Sequence, residues 1–229
     1  LIKKFNIKIL RWVGYDISDY LGPLTNNDYK IENKDFKTIW DSIFNLIKNE
    51  CDFIFLDKQN NERFLLNNPI INNLDCVKYD ETYGTDLSRW ADIKKKKGRA
   101  LQKFRWAKKK LSEIGELKFI GEIKDNYERK NSIKKIIRWK KEQKEKLNFS
   151  QSFSEKFYSN FLSNKNIVIS GLKLNNEYIA LSLGFTYNQI YFYLVPSYKN
   201  NPNLIKYSPG KVLMIDLLDY FKDKKYKYF

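Results

Sequence analysis

The sequence predicts a mixed α/β protein of the α+β class, and three patterns carry that prediction. Helical apolar spacing alternates with short β-rich runs along the chain. Three strand-like runs follow one another closely between residues 166 and 195, joined by asparagine turns. A Ser-Pro-Gly triplet at 208–210 then opens an apolar helical stripe.

Taken in order, IKILRWV (7–13) is rich in β-branched and aromatic residues and reads as a strand. DFKTIWDSIFNLIKNE (35–50) sets Phe36, Ile39, Trp40, Ile43, Phe44 and Ile47 at helical spacing. DFIFL (52–56) and LDCVKY (74–79) read as strands on either side of an asparagine-rich loop around Asn67, Asn68 and Pro69. The chain therefore opens βαββ. Leu87 to Ile114 reads as one long helix with Trp90, Ile93, Leu101, Phe104, Leu111 and Ile114 apolar, closed by Gly115 at the position after the cap.

ELKFIGEI (116–123) follows as a strand, then a helix from Glu128 to Leu147 and another over SEKFYSNFLSN (154–164). NIVISGLKL (166–174), EYIALSLGFTY (177–187) and QIYFYLV (189–195) turn at Asn175-Asn176 and at Asn188, which makes them an antiparallel meander. A loop over Pro196 to Tyr207 leads to the last helix. There Ser208 has the side chain of an N-cap, Pro209 suits the first helical position, and Val212, Leu213, Ile215, Leu217, Leu218 and Phe221 form the stripe. This second part reads βααβββα. Gly210 leaves the first turn without a side chain where backbone N–H groups point outward, which suits an arriving anion such as a phosphate; it also relieves crowding at a helix start.

With 229 residues, 42% hydrophobic and 16% aromatic, the chain has enough apolar surface for a real core in one large domain or two small ones. No apolar run approaches the ~20 residues of a membrane span, and no secretory leader is evident, so the expected location is the cytoplasm. Both ends read as cut from a longer chain. The net charge of +16 favours polyanions or a phosphate-bearing cofactor, although the uniform excess of Lys, Asn, Ile, Phe and Tyr equally fits an AT-rich genome. The absence of histidine excludes a Ser-His-Asp triad, a Cys-His pair, a His base and every His-containing metal site. Cys51 and Cys76 lack any CxxC spacing and read as reduced thiols. KKKKGRALQKFRWAKKK (94–110) interleaves basic residues with Phe104 and Trp106, as a nucleic-acid face would; it also reads as an amphipathic helix with solvated lysines.

RWKKEQ (138–143), GLKLNNEYIALSLGF (171–185), VPSY (195–198) and YSPGKVLMIDLL (207–218), taken in that order, resemble the acetyltransferase domain of the CelD/BcsL group. The resemblance spans roughly residues 88 to 229 and, more faintly, SDYLGPL (18–24). It implies a GNAT acyl-CoA N-acyltransferase fold in tandem halves, as in the related Fem peptidyltransferases: a divergent GNAT-like half over 1–86 and an acetyltransferase domain over 87–229. It also implies acetyl-CoA or another acyl-CoA as co-substrate, no metal, and a pyrophosphate seat at Ser208, Pro209, Gly210 and Lys211. The sequence departs from the family pattern in three places. Ser182 stands where a His is common, Lys199 follows Tyr198 where an Asp is common, and the chain ends at Phe229 where further strands are expected, leaving a raw sheet edge.

Direct acyl transfer needs a base for the acceptor, a donor for the oxyanion and an acid for the leaving thiolate. Without His, the base is a carboxylate acting through water or a backbone carbonyl. Glu177 and Glu142 are the nearest in sequence, and each also reads as a surface charge. For the acid the candidates are Tyr198 and Tyr193, the latter sharing a strand face with Tyr191 while Phe192 and Leu194 take the other. Lys140 and Gln143, three apart on one helix, are the candidates to bind the acceptor, and the resemblance adds Ser182, at the position of the family's common His, as a further substrate-binding candidate. The expected function is N-acylation of an amine on a sugar, polysaccharide precursor or other small molecule. Two rivals remain open: a Fem-like transferase using aminoacyl-tRNA, and a non-enzymatic polyanion-binding module.

Overall fold

Two units divide the chain, Leu1–Tyr83 and Gly84–Phe229. The computed structural model describes residues 2–4, 6–12, 22–23, 31–59, 68–78, 83–143, 151–160 and 162–229. In the first unit β1 (Ile2–Lys4) pairs antiparallel with β2 (Ile7–Leu10), and β2 pairs parallel with β3 (Phe53–Ile54). Parallel neighbours need a crossover, and α1 (Asn33–Ile47) supplies it in the intervening chain. A short helix, α2 (Pro69–Asn73), is started by Asn68, whose Oδ1 accepts the Ile70 N–H at 3.0 Å.

The strand expected over 74–79 is absent from its described part. Leu74 to Lys78 run without regular structure, and Val77 is 93% exposed, so the alternation that suggested a strand buries nothing there. Tyr79, Val13, Asn67 and all of SDYLGPL except Gly22 and Pro23 lie outside the described residues. Cys51 is half-buried and Cys76 exposed, and both are free thiols.

The second unit carries the mixed α+β architecture that the sequence predicts. Its opening helix is broken: a 3-10 turn (Leu87–Arg89), α3 (Trp90–Lys96) and α4 (Gly98–Ile114) replace one continuous rod. The break falls at Lys97 and Gly98, where glycine is the weakest helix former of the stretch. Four antiparallel strands follow in the spatial order β4 (Leu117–Ile120), β5 (Ile167–Leu174), β6 (Glu177–Tyr187), β7 (Ile190–Tyr198). Between β4 and β5 the chain forms α5 (Asn126–Gln143) and α6 (Gln151–Asn160), and after β7 come α7 (Pro202–Ile205) and α8 (Pro209–Asp223).

Strand β7 runs further than its apolar pattern suggests, because Ser182↔Pro196 and Ala180↔Tyr198 remain in register on β6. A proline is tolerated there since its missing N–H lies on the side away from the ladder. Strand alternation sorts the sheet's side chains into two cores. Leu172, Ala180 and Tyr191 pack with α3, α4 and α8 through Trp90, Leu111, Leu213, Leu217 and Phe221. Ile169, Leu181 and Leu183 pack with α5 through Ile133, Ile136, Ile137 and Trp139.

Lys227 to Phe229 cover the start of β7. Tyr191 N–H donates to Tyr228 O at 3.0 Å, and Lys227 N–H to Gln189 O at 2.8 Å. On its other side the same segment meets Thr85 and Leu87, with Thr85 N–H donating to Phe229 O at 2.7 Å and Leu87 N–H to Lys227 O at 2.9 Å. The raw edge expected at this border is therefore paired at Gln189 and Tyr191. Among the described residues no helix is long and apolar enough to cross a membrane.

Candidate active site

One extra residue in β7 shapes the site. Leu183 faces Val195 but Gly184 faces Tyr193, so Leu194 is bulged out of the ladder. Strict alternation from Tyr191 and Tyr193 would put Val195 and Ser197 on the same face. The bulge shifts the phase, so that Tyr191, Tyr193 and Tyr198 all pack on the α8 side, while Leu194 and Val195 join the α5 core. Ser197 likewise turns to α5 and donates from Oγ to Ile136 O at 3.0 Å.

At the end of β7, three elements meet. Gln143, in the last turn of α5, donates from Nε2 to Tyr198 O at 2.7 Å. Gly210, in the first turn of α8, lies beside the Tyr198 ring, and a Cβ built on it would stand 3.4 Å from Tyr198 Cδ1. That distance is ordinary contact, so the fold itself tolerates a larger residue at 210. Lys140 sits half-buried on α5 one turn before Gln143.

Ser208 does not cap α8 through its side chain, contrary to the sequence reading. Its backbone is left-handed (φ 49, ψ 59) and its hydroxyl makes no capping bond, because side-chain capping requires an extended N-cap residue. Its carbonyl instead accepts the Lys211 and Val212 N–H groups at 2.9 and 3.1 Å, and its own N–H donates to Ile205 O. Pro209 has no N–H, which leaves the Gly210 N–H as the amide of this turn without a partner among the described residues. A left-handed non-glycine residue costs about 1 kcal/mol or more and is found where the surroundings enforce it. The free amide, the bare Gly210 and the exposed Lys211 leave this helix start open to an anion such as a phosphate.

Deeper in the sheet, Ser170 and Ser182 are cross-strand partners and both are fully buried. Ser170 Oγ donates to Gly121 O at 2.7 Å, whereas Ser182 Oγ has no hydrogen-bond partner among the described residues. The Tyr191 hydroxyl points at these two serines without a well-formed hydrogen bond. Its ring stacks on Phe221 at 3.9 Å, and Tyr193 packs against Phe229 at 5.6 Å. Burial pushes both phenols well above their ordinary pKa, so both stay protonated.

The two carboxylates nearest in sequence are engaged at the surface. Glu177 accepts Lys199 Nζ at 2.7 Å, which holds its pKa down, and Glu142 lies 3.7 Å from Arg138 Nε. The basic run is partly spoken for as well. Lys108 pairs with Asp216 and Lys94 with Asp219, each at 2.6 Å, and Trp90 Nε1 also donates to Asp219 at 2.7 Å. Burial raises the pKa of Asp216 while Lys108 pulls it the other way. These bonds strap α3 and α4 to α8, and Phe104 packs on the core beneath them. Trp106 stays half exposed. No group of three or more Cys, Asp or Glu suited to a metal occurs among the described residues.

Sequence reasoning placed Tyr198 and Gly210 on adjacent elements but missed what joins them. The bulge at Leu194 leaves no mark in composition, and the Gln143 bond to a main-chain carbonyl depends on where α5 ends. Compared with protein families, residues 98–229, more than half of the chain, match the acetyltransferase (GNAT) domain. Comparison with curated proteins gives no match.

Proposed function

The chain belongs to the acetyltransferase (GNAT) family, and from that premise we propose that it transfers an acetyl group from acetyl-CoA to an amine of a sugar, a polysaccharide precursor or another small molecule. It is an acyltransferase, and acetyl-CoA is the co-substrate of its family. The observation that carries the reading is the juxtaposition of Gly210 with Tyr198, an open helix start directly beside a tyrosine. The ordered motifs that resemble the CelD/BcsL group support the choice of acceptor, and the cytoplasm, where acetyl-CoA is abundant, is the proposed location.

In this reading the Gly210 N–H and Lys211 bind the pyrophosphate, and the positive end of α8 adds to their field. The acceptor amine attacks the thioester carbonyl, a C–N bond forms, the C–S bond breaks, and the amine proton leaves through water. Tyr198 donates its phenolic proton to the departing thiolate and recovers one from solvent. Tyr193 is the second candidate, since burial keeps its proton in place. Gln143 fixes the Tyr198 main chain, and Lys140 with Gln143 borders the acceptor. The lysine and arginine partners of Glu177 and Glu142 leave water or a backbone carbonyl as the first proton acceptor.

Isothermal titration of acetyl-CoA into the full chain tests the reading. Saturable binding that is retained in Gly210→Ala and lost in Gly210→Glu is the expected result. An absence of binding to the unmodified chain would overturn it.

A further inference from the structure

The surface beside the start of α8 holds an aromatic pair that the reaction does not use. Trp106 is 50% exposed, although its α4 neighbours Leu101, Ala107 and Leu111 are buried. Its ring lies 5.8 Å from that of Tyr207, at 53°. Tyr207 immediately precedes Ser208, and its N–H is tied to Leu204 O at 3.0 Å, so the aromatic pair adjoins the helix start. The Lys108 to Asp216 ion pair, two residues beyond Trp106 on α4, fixes α4 against α8.

Two ammonium groups flank the pair. Lys206 Nζ stands 5.1 Å from the Tyr207 ring centroid. Lys110 lies one helical turn after Trp106 on the same side of α4, where it pairs with Glu113 at 2.6 Å. An exposed indole beside cations is the chemistry that receives a purine and a phosphate: the base offers a π face, and the phosphate takes charge-assisted hydrogen bonds.

We propose that Trp106 and Tyr207 seat the adenine of the acyl-CoA, and that Lys206 and Lys110 take its 3′-phosphate. The proposal rests on the reading above, because a pyrophosphate at Gly210 brings the nucleoside end of the same molecule to this surface. Lys110 then exchanges Glu113 for the phosphate, or is shared between them. Recognition falls on the nucleotide end, so it acts whatever acyl chain is carried.

Titration of CoA and of 3′-dephospho-CoA into the full chain tests it. The unmodified protein is expected to prefer CoA about tenfold, and a Lys110→Ala, Lys206→Ala double variant to bind the two nearly alike. Trp106→Ala should weaken both ligands about tenfold, while Trp106→Phe retains most of the affinity. Thermal melts of each variant establish that it is folded. If CoA binds and Gly210→Glu abolishes it, yet dephospho-CoA binds equally well and Trp106→Ala changes nothing, the adenine seat is overturned and the pyrophosphate site stands. If neither ligand binds the unmodified chain, both readings fall. An oligonucleotide that binds through Trp106 and resists displacement by CoA would also overturn the seat, assigning this surface to nucleic acid instead.

Discussion

Gln143 and Tyr198 are joined by one hydrogen bond of 2.7 Å, from the Gln143 amide to the main-chain carbonyl of Tyr198. It couples the end of α5, which packs on one face of the sheet, to the residue that abuts Gly210 on the other. Loss of this half-buried bond costs about 1 kcal/mol and leaves a carbonyl partly unpaired. Gln143→Leu is therefore expected to lower the melting temperature by a few degrees and to raise KM for acetyl-CoA several-fold, with a smaller change in kcat. A lower melting temperature with unchanged KM would make the bond purely structural.

Gly184 lies under the Tyr191 ring, and any Cβ there would overlap the phenol. Since Tyr191 is stacked on Phe221 with no room to withdraw, Gly184→Ala is expected to destabilise by about 1–3 kcal/mol in urea melts. Tyr191→Phe removes a buried hydroxyl that has no good partner, so it should be neutral or stabilising by up to ~1 kcal/mol. A large loss in Tyr191→Phe would mean that the hydroxyl holds the sheet through Ser170 and Ser182.

The βααβββα order was legible because each of its long elements buries one face, and burial imprints a period on the sequence. Ile133, Ile136 and Ile137 on α5 and the Tyr191 and Tyr193 row on β7 are examples. What escaped notice depends on one residue or one bond. Lys97 and Gly98 interrupt a helix whose apolar spacing continues across them, and Leu194 inserts into a strand whose composition is unchanged. LDCVKY has strand-like residues, but Val77 has no core to face. For the site, Tyr198 is a candidate from sequence because it lies on or just beyond the strand beside the Ser-Pro-Gly helix; only the phase shift at Leu194 explains why it shares a face with Tyr193.

Glu128 gives the second unit an acid-sensitive contact. Its carboxylate accepts Lys173 Nζ and Tyr178 Oη, each at 2.8 Å, and these bonds hold its pKa below the ordinary value of 4.5. A carboxylate with a lowered folded pKa adds stability that is fully present above the unfolded value and disappears as pH falls through the folded one. The stability gap between the unmodified chain and Glu128→Gln should thus be widest near neutral pH and close in acid, below 4.5. Urea midpoints over that range check it, and a gap that widened toward acid would refute the assignment.

Tyr198 and Tyr193 separate cleanly by substitution to Phe. Tyr193 is half-buried, packed on Phe229 against the α8 core, and burial pushes its phenol above the ordinary pKa. Tyr198 is half-buried beside the open turn at Gly210. A phenol that protonates the leaving thiolate contributes on the order of a hundredfold or more to the rate, without adding to ground-state binding. Tyr198→Phe is expected to lower kcat about a hundredfold while acetyl-CoA affinity stays within about twofold, and Tyr193→Phe to change kcat only a few-fold. The decisive readout is an acyl thioester whose thiol is more acidic than that of CoA. Because such a leaving group needs no proton, it should restore most of the rate lost in Tyr198→Phe. A variant equally slow with both thioesters would show that Tyr198 shapes the site without acting as its acid.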